Sequence, residues 1–117
     1  MAELDATGLD AEDAKIVALA RSARARTGAA EGAAVRDTDG RTYAACTVGL
    51  PSLRLTALQA AVSAAVASGA EGLEAAAVVT TADGVSGPSV AAVRDLGARA
   101  VVFRADPAGM VVDRLVP

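Results

Sequence analysis

The sequence predicts an α/β domain, a mixed five-stranded sheet with helices on its faces and its last two strands antiparallel. Three observations carry that expectation. Helix-period and strand-length apolar segments alternate in the order helix, hairpin, helix, strand, helix, strand pair. Two of the connections are helical crossovers, which should set three strands parallel. The closing turn, Asp106, Pro107, Ala108 and Gly109, is too brief for a crossover and makes its flanking strands antiparallel.

Residues 1–9 are small, acidic and glycine residues without periodicity, so they read as a flexible end, with 10–117 forming a single domain. Asp10 can cap a first helix. Glu12 and Asp13 suit its positive end, and Ile16, Leu19, Ala20 and Ala23 recur at helical spacing until Gly28 stops it. Residues 32–36 and 41–48 then form a hairpin about the Asp39-Gly40 turn. Pro51 opens the second helix with Ser52 as its cap, and Leu55, Leu58, Val62 and Val66 make its apolar stripe up to Gly69. The alanines around that stripe place the helix at the centre of the fold or of an interface. Residues 75–80 form a buried strand, Pro88 starts a third helix over 89–96, and Gly97 ends it. Residues 100–104 and 110–115 close the sheet.

At 117 residues the chain holds one ordinary core, and although 53% of it is apolar, much of that is alanine. Tyr43 and Phe103 are its two aromatic residues. So thin a core predicts a homo-oligomer, a dimer or a tetramer, in which a partner copy covers apolar surface. A formal net charge of -3 gives no attraction for phosphate backbones or anionic membranes, so neither nucleic acid nor membrane is an expected partner. Arg21, Arg24 and Arg26 read as a solvated helix face. One cysteine excludes an internal disulfide, the acidic start is unlike a secretion signal, and 57–66 is too short and alanine-rich to span a bilayer. A cytoplasmic protein is the expectation.

Leu19 to Val48, "LARSARARTGAAEGAAVRDTDGRTYAACTV", is similar to the opening of the cytidine deaminase family, where a helix precedes a Val-Gly-Ala-Ala strand, a glycine turn and a strand ending in Asn-Val-Glu-Asn. Gly32, Ala33 and Ala34 keep the first strand and Gly40 the turn. "TALQAAVSAAVASGA", residues 56–70, resembles the helix that begins Cys-Ala-Glu or His-Ala-Glu. "SGPSVAAVRDLGA", residues 86–98, resembles the Pro-Cys-x-x-Cys segment and its helix. The resemblance spans roughly residues 16–103 and implies a three-layer α/β/α cytidine deaminase-like fold.

It also implies chemistry that this chain is not equipped to perform. The family holds zinc with three strong donors, and a glutamate moves protons between the metal-bound water and the base. Those places fall here on Thr56, Leu58, Ser89 and Ala92. The chain has no histidine anywhere, and Cys46 is its one thiol. Hydroxyls and a methyl group do not replace thiolate or imidazole. The family's ribose-holding Asn and Glu correspond to Thr47 and Gly49, and Arg26, Thr27, Gly28 and Ala29 stand where its Tyr-Ser-x-Phe would be.

Other candidates read as structure. Cys46 has no histidine to activate it and suits a packed strand. Asp37 and Asp39 flank a tight turn and serve that turn and its solvation. Thr56 and Ser89 stand near helix starts and read first as caps, or else as the rim of a remnant pocket for an anion. Gly28, Gly32 and Gly40 follow a helix stop, a strand start and a turn rather than a phosphate loop. The expectation is therefore a catalytically inactive member, a pseudoenzyme with no zinc and no other cofactor, acting as an oligomeric binding or regulatory module with an unidentified protein partner. The alternatives are a nucleoside or small-anion sensor, and a divergent deaminase using partner-supplied residues.

Overall fold

Helix α1 spans Ala11–Thr27 because both its ends are chemically closed. The Asp10 carboxylate accepts from the Asp13 amide at 2.8 Å, and Gly28 takes φ +67, a left-handed conformation that a side chain would disfavour. The computed structural model describes residues 8–117. Most of the flexible end expected at 1–9 thus lies outside the described residues. Leu9, however, is buried with Ile16, Val17 and Ala20 against the sheet, so apolar packing orders the chain up to that point.

Strands β1 (Gly32–Asp37) and β2 (Thr42–Cys46) form the hairpin about Gly40, whose φ of +86 suits glycine. A second small hairpin follows, β3 (Val48–Leu50) and β4 (Leu53–Leu55), with Pro51 and Ser52 as its turn. This corrects the expected helix start at Ser52. Proline fits a turn as readily as a first helical position, and the pairing of Val48 with Leu55 decides between them. Helix α2 (Ala57–Ala67) begins after Thr56 instead. There the Thr56 hydroxyl accepts from the Gln59 amide at 3.1 Å while the Gln59 side-chain oxygen accepts from the Thr56 amide at 2.9 Å.

Strand β5 (Leu73–Val79), helix α3 (Gly87–Leu96) and strands β6 (Val101–Ala105) and β7 (Val111–Leu115) complete the chain. The main sheet has five strands in the order β2-β1-β5-β6-β7, and β6 and β7 are antiparallel. The strands linked by helical crossovers, β2, β5 and β6, do run one way, but β1 sits antiparallel between β2 and β5. One adjacent pair, β5 with β6, is therefore parallel.

The result is a three-layer α/β/α fold. Helix α1 packs on one face of the sheet with Ala34, Ala77 and Phe103, and α2 and α3 pack on the other with Val35, Val78 and Val102. Small residues bring the layers close. A Cβ on Gly32 would lie 2.0 Å from the Ala20 carbonyl oxygen. Of the α2 stripe, Leu58 and Val62 are buried, Leu55 is half-buried and Val66 is exposed.

At the far end of the first hairpin, Asp37 is buried rather than solvated. Its carboxylate accepts from the amides of Asp39 and Arg41, each at 2.9 Å, and from the Tyr43 hydroxyl at 2.8 Å. Burial opposes its charge, but those hydrogen bonds outweigh it and hold the carboxyl below its ordinary range. Asp39 stays exposed.

Candidate functional site

The first turns of α2 and α3 meet at one end of the sheet, and three hydroxyls join them. Ser86 caps α3 by accepting from the Ser89 amide at 3.4 Å, with Pro88 in the first turn behind it. The Ser86 hydroxyl donates to Ser89 Oγ at 2.9 Å, and Ser89 Oγ donates to Thr56 Oγ1 at 2.8 Å. Thr56 thus caps α2 and receives α3 at the same atom. Ser89 is a link between the helices rather than the cap it was expected to be, and it is 2% exposed.

Thr56 and Ser89, 33 residues apart in sequence, are brought into direct contact, whereas Leu58 and Ala92 are not part of that contact. Leu58 is fully buried in the apolar core beneath α2. Ala92 is half-buried and lines a separate apolar groove of about 600 Å3 between α2 and α3, with Val62, Val66 and Leu96.

Beside the hydroxyl chain lies an open cleft of about 680 Å3, bounded by the β3–β4 hairpin, the start of α2 and the segment after β5. Thr47, Gly49 and Thr56 all line it. The Thr47 hydroxyl is committed to Glu31, accepting from its amide at 3.0 Å and donating to its carbonyl at 3.3 Å. Gly49 contributes bare backbone. Arg54, Gln59, Thr80 and Thr81 also reach the cleft. Of these the sequence advertised Gln59 alone, through the Thr-x-x-Gln spacing of a capping box. Ser86, two residues before Pro88, carries the weaker signal of a cap before a helix-opening proline, and Arg54 carries none.

The zinc that the resemblance implies does not fit these donors. Thr56 Oγ1 and Ser89 Oγ are neutral hydroxyl oxygens already engaged with each other, with the Gln59 amide and with Ser86, and Ala92 offers a methyl group. Zinc sites use thiolate, imidazole or carboxylate, and among the described residues no three such side chains gather. What the arrangement can do is fasten two helix ends and present polar groups to a small molecule.

A family model described as "Cytidine deaminase-like" matches residues 9–109. Similar solved structures are cytidine deaminases. That from Burkholderia pseudomallei is 24% identical, with a TM-score of 0.75 over 87% of this chain and 90% of its own. A variant of the Mycobacterium tuberculosis protein is 26% identical, with a TM-score of 0.65 over 75% and 81%. The Mycobacterium leprae protein is 22% identical, with a TM-score of 0.68 over 81% and 89%. No curated protein matches the chain. No helix among the described residues is long and apolar enough to cross a membrane.

Proposed function

The chain belongs to the cytidine deaminase-like family, and from that premise we propose that it is a catalytically silent member, kept as a cytosolic oligomeric binding or regulatory module. The observation that carries this reading is the hydrogen bond between Ser89 Oγ and Thr56 Oγ1, 2.8 Å long. The resemblance sets those two residues at ligand positions of the family's zinc site, and a hydroxyl contact joins them instead. Leu58, aligned with the proton-shuttling glutamate, is an apolar side chain packed inside the core. Neither a metal-activated water nor a proton shuttle is provided for by these residues.

The oligomeric part of the reading is supported by apolar side chains left in solvent, two on the β3–β4 hairpin and one in the last turn of α2. Leu50 is 55% exposed, Leu53 48% and Val66 54%. The cleft supports the sensor reading as a second possibility for the same module, since it has polar groups and room for a small ligand.

The test is metal analysis of the purified chain together with the ultraviolet spectrum of cytidine incubated with it and zinc. Silence predicts no stoichiometric zinc and an unchanged spectrum. Tight zinc with measurable deamination overturns the proposal.

A further inference from the structure

The polar groups of the cleft are unevenly spent, and the imbalance says what chemistry they fit. Gln59 Oε1 is fixed towards the Thr56 amide by the capping box, so the Gln59 NH2 is the end left over. Thr56 Oγ1 accepts twice, from the Gln59 amide and the Ser89 hydroxyl, which leaves its own hydrogen to give. Thr80 Oγ1 accepts from the Ala82 amide at 3.1 Å and likewise keeps its hydrogen. Among the described residues the Arg54 guanidinium forms no ion pair, and the Thr81 hydroxyl stands exposed at the rim. Donors therefore dominate the unspent groups. The opposing charge is Glu31, whose side chain also lines the cleft.

We propose that this cleft binds a small oxyanion, a carboxylate or a phosphate, through the donors of Arg54, Thr56, Gln59, Thr80 and Thr81. The inference rests on the catalytically silent reading above and gives its cleft a ligand class. A nucleoside base offers donors as well as acceptors, and Glu31 is the one unspent charged acceptor here to receive its amino group, whereas most of the unspent side-chain groups are donors. An oxyanion consists of acceptors alone and gains a charge-assisted contact with Arg54. Glu31 weakens the attraction for an anion, so modest affinity is expected.

Amide chemical shifts of the full chain, titrated separately with inorganic phosphate, acetate and cytidine at constant ionic strength, test this. Saturable shifts confined to residues 54–59 and 80–82 are expected with phosphate, acetate or both, and the two arms tell which anion is preferred. Cytidine should leave these signals in place. Gln59→Glu keeps the capping oxygen but removes the amide donor and adds a charge, so it should weaken anion binding by about tenfold or more with no loss of Tm. Glu31→Gln should strengthen it. Absence of saturable shifts with both anions at about 10 mM overturns the proposal. So does cytidine binding that Gln59→Glu leaves unchanged, or a loss of anion binding in Glu31→Gln. Deamination of cytidine would instead refute the silent reading, and it is read from the ultraviolet spectrum independently of these shifts.

Discussion

Replacing Leu58 with glutamate asks directly whether this fold can still hold a proton-moving carboxylate at that point of α2. Leu58 has no exposed surface and packs with Val35, Val62, Val93 and Val102. Removing a buried leucine costs about 2–5 kcal/mol, and an ionised carboxylate without a partner adds several more. Domain stabilities are about 5–15 kcal/mol, so the variant should be close to unfolding at neutral pH. Desolvation makes the folded state keep the new proton, raising the folded pKa above the unfolded value of about 4.3. Between those two values the unfolded state has released its proton and the folded state has not, so stability falls as pH rises. Each unit of separation costs about 1.4 kcal/mol once pH passes the folded value. Leu58→Gln carries similar size and polarity without the titration. Urea unfolding of both variants from about pH 4.5 to 7.5 should show a growing deficit in Leu58→Glu alone. If Leu58→Glu instead unfolds within about 0.5 kcal/mol of the parent with no added pH slope, the position reaches solvent and the burial argument fails.

Gly32→Ala should be destabilising by about 3 kcal/mol, because its Cβ would meet the backbone of α1, and thermal unfolding should show a large fall in Tm. Gly49→Ala meets nothing within 4 Å and should stay within about 0.5 kcal/mol of the parent. The Asp37 contribution is complete above the unfolded carboxylate value of about 3.9 and is lost as pH falls through its lower folded value. Tyr43→Phe removes one hydrogen bond that lowers that value, so the acid limb of its stability curve should move to higher pH; an unmoved limb would contradict the assignment. Arg36 bridges Asp13 at 3.1 Å and Glu74 at 3.0 Å. Arg36→Met should cost about 1–2 kcal/mol in urea unfolding, and a double-mutant cycle should couple it more strongly to the less exposed Asp13 than to Glu74.

The sequence by itself determined the elements whose signals are local. Asp10 and Gly28 bound α1, Asp39-Gly40 turns the first hairpin, Gly97 ends α3, and the Asp106 to Gly109 turn makes the last two strands antiparallel. It also denied the chain any histidine of its own, since a residue type that is missing needs no structure to locate it. Its landmarks, taken jointly, pointed to the family and to Thr56 and Ser89. Tertiary structure decided whatever depended on distant pairing. Pro51 and Ser52 suit a helix start and a turn equally well, and the contact of β3 with β4 selects the turn. The insertion of β1 between β2 and β5 is likewise a choice of sheet neighbours that periodicity does not encode. The site depends on such pairing most of all. Ser86, Ser89 and Thr56 each look like helix-start residues in isolation, and folding places α2 and α3 so that one cap becomes the acceptor for the other helix. Local capping chemistry supplied the hydroxyls, and packing of the two helices on one face of the sheet made them a single network.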